Sequence, residues 1–189
     1  MKSYETKLAG VRVIVPGRHE DARGYFSETF RHDWFVTNVA SVDFVQENQS
    51  LSRRAGVVRG LHFQSMPAAQ GKLVRCLSGA IFDAAVDIRT GSPTYGNWTA
   101  VTLTAEEGNQ LWVPAGFLHG FCTLVPDCLV SYKVTAYYDR DCDMGVQWND
   151  PAIGVAWPDI ADPSLLSPKD SSQPMLDDLP SYFRYSEES

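Results

Sequence analysis

Gly56-Val57-Val58-Arg59-Gly60-Leu61-His62-Phe63-Gln64 is the stretch on which the reading of this chain turns. Val57–Phe63 has the composition of a β-strand entered from a glycine. It carries a histidine close to an arginine inside an otherwise apolar run. A metal-holding β-strand of this type opens with glycine, five residues and His-x-His. Gly56 and His62 keep that opening, but Gln64 stands where the second histidine would be. One imidazole on a strand, with an amide beside it, suits proton transfer near neutral pH better than it suits holding a cation.

Working outward, further short β-type runs follow one another. They are Val11–Val15, Phe44–Gln49, Leu73–Leu77, Ile81–Ile88, Trp98–Leu103, Leu111–Val113, Phe121–Leu124 and Leu129–Thr135. Turn residues divide them at Ser78-Gly79, Thr90-Gly91-Ser92-Pro93, Glu107-Gly108-Asn109 and Val125-Pro126-Asp127. A second histidine stretch runs Gly108-x5-Pro114-x-Gly116-x2-His119. The two histidine stretches are similar to the paired motifs of cupins. The expectation is an all-β chain, a cupin-type jelly-roll sandwich or barrel with few short helices. In it, His62 and His119 would face each other inside the barrel mouth. Arg31–Val39 reads as one helix, with a short turn near Pro163–Leu166. The Pro-, Asp- and Ser-rich tail beyond Pro151 reads as irregular chain laid over the sheets. No repeat or linker interrupts residues 1–189, which read as one domain.

Composition narrows the function. With 44% hydrophobic and 12% aromatic residues the chain is expected to fold into a sizeable core. A net charge of -7 argues against general nucleic-acid binding, yet a few local arginines suffice for a phosphorylated small molecule. The start, Met1-Lys2-Ser3-Tyr4-Glu5, lacks an apolar leader and no run is long enough to cross a bilayer, so the expected location is cytoplasmic. Cys76, Cys122, Cys128 and Cys142 show no metal-like spacing and read as reduced and partly buried. Two histidines with no glutamate between Gln64 and Gly79 make a poor set for zinc or iron(II).

The motifs, taken in order, resemble one family. They include Asp21-Ala22-Arg23-Gly24-Tyr25-Phe26-Ser27-Glu28, Phe44-Val45-Gln46-Glu47-Asn48-Gln49-Ser50, Val58–Gln64, Gln70-Gly71-Lys72-Leu73-Val74-Arg75 and Phe82–Pro93. Trp112–Phe121, Tyr132-Lys133, Trp148-Asn149-Asp150-Pro151 and Leu166-Ser167-Pro168-Lys169-Asp170 complete the set. This pattern resembles the dTDP-4-dehydrorhamnose 3,5-epimerases, metal-free cupins of deoxysugar biosynthesis, and it covers nearly the whole chain. The resemblance implies a dTDP-linked 4-keto-6-deoxy sugar as substrate. Its C4 ketone acidifies the protons at C3 and C5, so neither a metal nor another cofactor is called for. Such a site needs a base, an acid on the opposite face and a cation for the enolate oxygen.

By the same resemblance, His62 is the base, Asp170 orients it, Tyr132 is the acid and Lys72 holds charge near the C4 oxygen. Arg23, Arg59 and Lys169 serve the diphosphate. Gln46, Asn48 and Glu28 serve the sugar and thymine edges, and His119 lies near sugar or phosphate. Asp143 stands where most members have glutamate, which shortens its reach. Glu47 stands where aspartate is common, which keeps a binding role for its backbone. The family relatives are homodimers in which N-terminal strands add to the partner's sheet. Read from the residues alone, Asp170 could be a solvated loop carboxylate, Tyr132 a core aromatic and Lys72 a surface lysine. Rival readings are a metal-dependent cupin, a noncatalytic sugar-nucleotide binder and an epimerase of C3 or C5 alone.

Overall fold

A computed structural model describes residues 1–186 of the chain. In chain order the elements are β1 (Lys2–Glu5), β2 (Arg12–Val15), β3 (His19–Asp21), β4 (Gly24–Phe26), α1 (His32–Asn38), β5 (Gln46–Ser52), β6 (Val58–Gln64) and β7 (Lys72–Ser78). They continue with β8 (Ala80–Asp87), β9 (Arg89–Thr90), β10 (Trp98–Thr104), β11 (Gln110–Val113), β12 (Phe117–Thr123), β13 (Cys128–Val134), β14 (Asp143–Gly145) and β15 (Phe183–Arg184). Short 3-10 turns at Pro163–Leu165, Asp170–Ser172 and Leu176–Asp178 break the tail.

Two antiparallel sheets form a jelly-roll sandwich. One has the order β1-β2-β11-β7-β13-β5 and the other β10-β8-β12-β6-β14. Alternation along the strands sends one set of side chains into the space between them. Val74, Cys76, Leu111, Val113 and Val130 of the first sheet meet Ile81, Ala85, Leu103, Phe117 and Phe121 of the second. The opposite faces are covered as well. Helix α1 brings Phe35 against Trp112, with Phe30 and Phe44 completing a cluster of edge-to-face rings 5.2–5.9 Å apart. Such pairs each add about 0.5–1.5 kcal/mol beyond the area they bury. The tail lays Ile153, Leu176 and Phe183 over Leu61, Phe63, Val86 and Leu118 of the second sheet. This double cover explains why every residue of β12 is buried.

The tail is anchored by one carboxylate. Buried Asp150 accepts from the backbone N–H of Ala152, Ile153 and, at 2.6 Å, Leu176. Asp87, also buried, ties the β8–β10 corner by accepting from Arg89, Ser92 and Thr94. The four cysteines are free and buried, each away from any disulfide.

Both histidines reach the same cavity, as expected, but from adjacent strands. They sit side by side, since His62 on β6 pairs in register with His119 on β12 within one sheet. The same ladder holds an irregularity: His119 opposes His62 and Phe121 opposes Arg59, so β6 carries one residue more than β12 over this span. Residues three apart normally point to opposite faces, and a bulge reverses that parity. Gly60 makes it possible. Its φ is 130°, and a Cβ there would stand 2.6 Å from the Gly120 Cα.

Candidate active site

The cavity opens between the sheets at one end of the sandwich. It has two lobes, of about 320 and 250 Å³, which share His62, Lys72, Tyr132 and Lys169. Gln46, Asn48, Gln64, Gln70, Tyr138 and Asp143 line the first lobe, which is rich in amides. Arg59, His119, Phe121, Ser50, Ser167 and Asp170 line the second. The bulge is what puts Arg59 and His62 into the same space.

The junction carries the reactive groups. His62 projects from β6 on one wall, while Lys72 and Tyr132 project from β7 and β13 of the opposite sheet. His62 Nε2 and Asp170 Oδ1 form a short hydrogen bond. Asp170 reaches it from the tail, on the 3-10 turn Asp170–Ser172, and its backbone N–H donates to Ser167 Oγ at 3.0 Å. Burial pushes the Asp170 carboxyl up, but the His62 hydrogen bond and charge, Ser167 and Lys169 outweigh it and hold the group below its ordinary value. Asp170 is therefore an anion at neutral pH. An anion accepts from Nε2–H, which leaves the Nδ1 lone pair of His62 as the basic atom.

Tyr132 differs in environment. Burial raises its phenol above the usual value, with Arg59 and the Asn48 side chain pulling the other way. The hydroxyl stays protonated at neutral pH and can act as an acid. Lys72 is pushed down to about 8, chiefly by burial, while the charges of Asp143 and Asp83 pull it up and Lys169 adds to the lowering. Near neutrality it is a cation, with no ion pair among the described residues to occupy it.

Around this junction the residues hold one another. His119 Nε2 bonds Asp83 Oδ1 at 2.7 Å, both of them buried. Arg59 is steadied by Ser52 Oγ and the Leu51 carbonyl. Asp143 Oδ2 is shared by Lys169 Nζ and the Tyr138 hydroxyl, so it is engaged at the lobe wall. Gln46 donates to Asn48 Oδ1 at 2.8 Å. Gln64, in place of a second histidine, uses both ends of its amide. Its Nε2 donates to the Ala68 and Tyr137 carbonyls, and its Oε1 accepts from the Asp139 N–H. It is a clasp between two loops at the mouth. Among the described residues no three His, Cys, Asp or Glu side chains are grouped so that they could hold a metal ion.

Of the residues singled out in the sequence, His62, Lys72, Tyr132, Asp170, Gln46, Asn48, Arg59, His119, Asp143 and Lys169 meet in this cavity. Three do not. Arg23 lies on the exposed β3–β4 hairpin, paired with Asp21, and Glu28 is exposed just beyond it. Glu47 points away from the cavity because Gln46 and Asn48 point in. Its carboxylate binds Ser131 and Lys133 on the outer face of the sheet. Tyr138, Gln70, Phe121 and Asp83 were missed. Tyr138 sits in a polar loop without periodicity. Asp83 did carry a signal, a lone charge in the apolar run Ile81–Val86, which in a buried strand demands a partner.

A protein from Sinorhizobium fredii (strain NBRC 101917 / NGR234) described as dTDP-4-dehydrorhamnose 3,5-epimerase is 58% identical over 178 residues, covering 94% of this chain and 91% of the relative. Among solved structures, a dTDP-6-deoxy-D-glucose-3,5-epimerase from Legionella pneumophila Philadelphia 1 in complex with dTDP-4-keto-L-rhamnose superposes with a TM-score of 0.91 at 38% identity, covering 98% of each chain. A dTDP-4-dehydrorhamnose 3,5-epimerase from Bacillus anthracis str. Ames with TDP and PPi bound gives 0.88 at 44% identity, covering 92% of this chain and 98% of that one. The family model described as dTDP-4-dehydrorhamnose 3,5-epimerase matches residues 5–178, and with that match the chain belongs to the dTDP-4-dehydrorhamnose 3,5-epimerase family.

Proposed function

We propose that this chain inverts C3 and C5 of dTDP-4-dehydro-6-deoxy-D-glucose to give dTDP-4-dehydro-L-rhamnose. The observation that carries the reading is the junction: the His62–Asp170 pair on one wall, Tyr132 on the other, and unpaired Lys72 beside them. His62 Nδ1 takes the proton from C3 or C5, and the electron pair moves onto the C4 oxygen as an enolate. Asp170 stabilises the imidazolium that forms. Lys72 Nζ donates to the enolate oxygen, where the charge develops. The Tyr132 hydroxyl then protonates the carbon from the opposite face, inverting it. Water restores the phenol and takes the proton from His62. Arg59 and Lys169 supply charge for the diphosphate, and Gln46, Asn48 and Tyr138 offer polar edges and a ring for the nucleotide.

Incubation of the protein with that sugar nucleotide in deuterium oxide tests the reading, with NMR following C3 and C5 separately. Deuterium at both centres with inversion is expected. Exchange at one centre alone would reduce the activity to single-centre epimerisation, and ligand binding without exchange would make this a noncatalytic binder.

The reading extends to assembly. Arg23 and Glu28, expected at the substrate, lie outside this cavity on a hairpin that also exposes Tyr25 and Phe26. A homodimer in which that hairpin reaches the partner's cavity would bring them to it. A monomer by light scattering, with full activity at nanomolar dilution, would overturn this. Residues 1–189 are proposed to act as one domain in the cytoplasm, which cell fractionation checks. No helix in the described residues is long and apolar enough to cross a membrane.

A further inference from the structure

Asp83 is joined to His119, which lines the second lobe of the cavity. On β8 it lies opposite Phe121 of β12 and Val101 of β10, on the face turned toward the other sheet. It has no exposed surface. Oδ1 bonds His119 Nε2, whereas Oδ2 is buried with no hydrogen-bond partner in the described residues. A buried carboxylate oxygen without a donor is costly, and folded proteins rarely keep one without reason. The oxygen is buried, so a neighbouring positive charge is what would offset it. Lys72 enters from the facing sheet, and its ammonium has no ion pair within 4.0 Å among the described residues; of the charges that favour it, Asp143 acts most and Asp83 next.

We propose that Asp83 is a positioning residue that ties the two halves of the site together: Oδ1 fixes His119, and Oδ2 is the counter-charge that holds the Lys72 ammonium at the junction. This rests on Lys72 being the partner of the enolate oxygen. When substrate arrives, Lys72 turns one N–H to that oxygen while Asp83 keeps it charged from beneath. Asp143 on β14 also favours the charged form and Lys169 of the tail opposes it. Arg59 and His62 of β6, His119 of β12, Tyr132 of β13 and Asp170 of the tail complete the ring of titratable or charged groups around the ammonium. Asp143 Oδ2 is shared by Lys169 and Tyr138, whereas Asp83 Oδ2 is the carboxylate oxygen that is both buried and without a donor among the described residues.

The test follows the Lys72 Cε resonance of carbon-13-labelled lysine with pH, assigned by its absence in Lys72→Arg. In Asp83→Asn, which keeps the shape and an acceptor for His119, the Lys72 midpoint should fall by about one pH unit, the usual effect of a close opposite charge. The alkaline limb of kcat should move down with it, and KM should change less than kcat. An unmoved midpoint would overturn the proposal. So would an equal shift in His119→Gln, which would mean that Asp83 acts through His119 alone. Should Asp83→Asn fail to bind dTDP or to fold, the wild-type protein still decides: the Asp83 carboxyl carbon must show an inflection at the Lys72 midpoint, and a flat trace there refutes the coupling. Because the resonances are read without turnover, loss of the epimerase reading and loss of this one are separable.

Discussion

Two histidine–aspartate pairs stand in neighbouring strands of one sheet, each joined through Nε2 and Oδ1, and they are built for different work. The His62 side chain keeps 28% of its surface exposed, against 8% for His119. Asp170 comes from a tail 108 residues beyond its histidine, whereas Asp83 sits on the strand adjoining β12. A ring open to the cavity can take up a proton and release it again. A ring sealed over a buried carboxylate can present a fixed donor or acceptor, and cannot easily cycle. The lesson is that the pairing itself does not make a base. Access and the source of the carboxylate decide.

The comparison breaks most directly by mutation. His62→Ala should abolish solvent exchange at C3 and C5, a loss of about 10³–10⁴-fold, with dTDP binding by calorimetry kept within a few-fold. An equal loss from His119→Ala would erase the distinction between the pairs. Asp170→Asn keeps the shape but lets the imidazole choose the wrong tautomer, and a fall in kcat on the order of 10²-fold or more is expected in steady-state assays. Tyr132→Phe should reduce net inversion by about 10²-fold while wash-in of deuterium falls less. Parallel loss of both would remove the one-sided acid.

Acidity sharpens the comparison with smaller effects. Lys72, held down to about 8 mainly by burial, should lose its charge above that pH, so kcat declines on the alkaline side near pH 8. A profile flat to pH 10 would contradict the role of the ammonium. Asp170 acts with the opposite sign. Its folded value lies below its unfolded one, so its stabilising effect is present at neutral pH and disappears as pH falls through the acid range. Thermal melts of Asp170→Asn should therefore depend less on pH below 4 than those of the parent.

Much of the architecture was legible because the strands that build the sandwich are long enough to show their composition. Ile81–Ile88 and Leu129–Thr135 were read within a residue or two of β8 and β13. The strands missed were polar and brief, such as β1 (Lys2–Glu5), β3 (His19–Asp21) and β14 (Asp143–Gly145), where pairing with a neighbour decides and propensity does not. In the site, His62 announced itself by type and setting. The approach of Arg59 to the same face did not, since regular alternation would separate the two and only the bulge at Gly60 unites them. The side-by-side placing of His62 and His119 depends on a β6–β12 register that no local pattern encodes. Asp170 and Tyr132 came through family resemblance, and Glu47, whose side chain binds Ser131 and Lys133, has only its backbone to offer the cavity.

The tail that delivers Asp170 has a consequence for when the protein begins to work. All the strands of both sheets have been made once synthesis reaches Gly145, and His62, Lys72 and Tyr132 are then already in the chain. The carboxylate that His62 requires is not. It arrives with the segment pinned through Asp150 and Leu176, so the dyad closes only when that segment has docked. Competence is in this sense a certificate of completed folding: a sandwich with its cover undone holds a cavity of nearly the right shape and no oriented base.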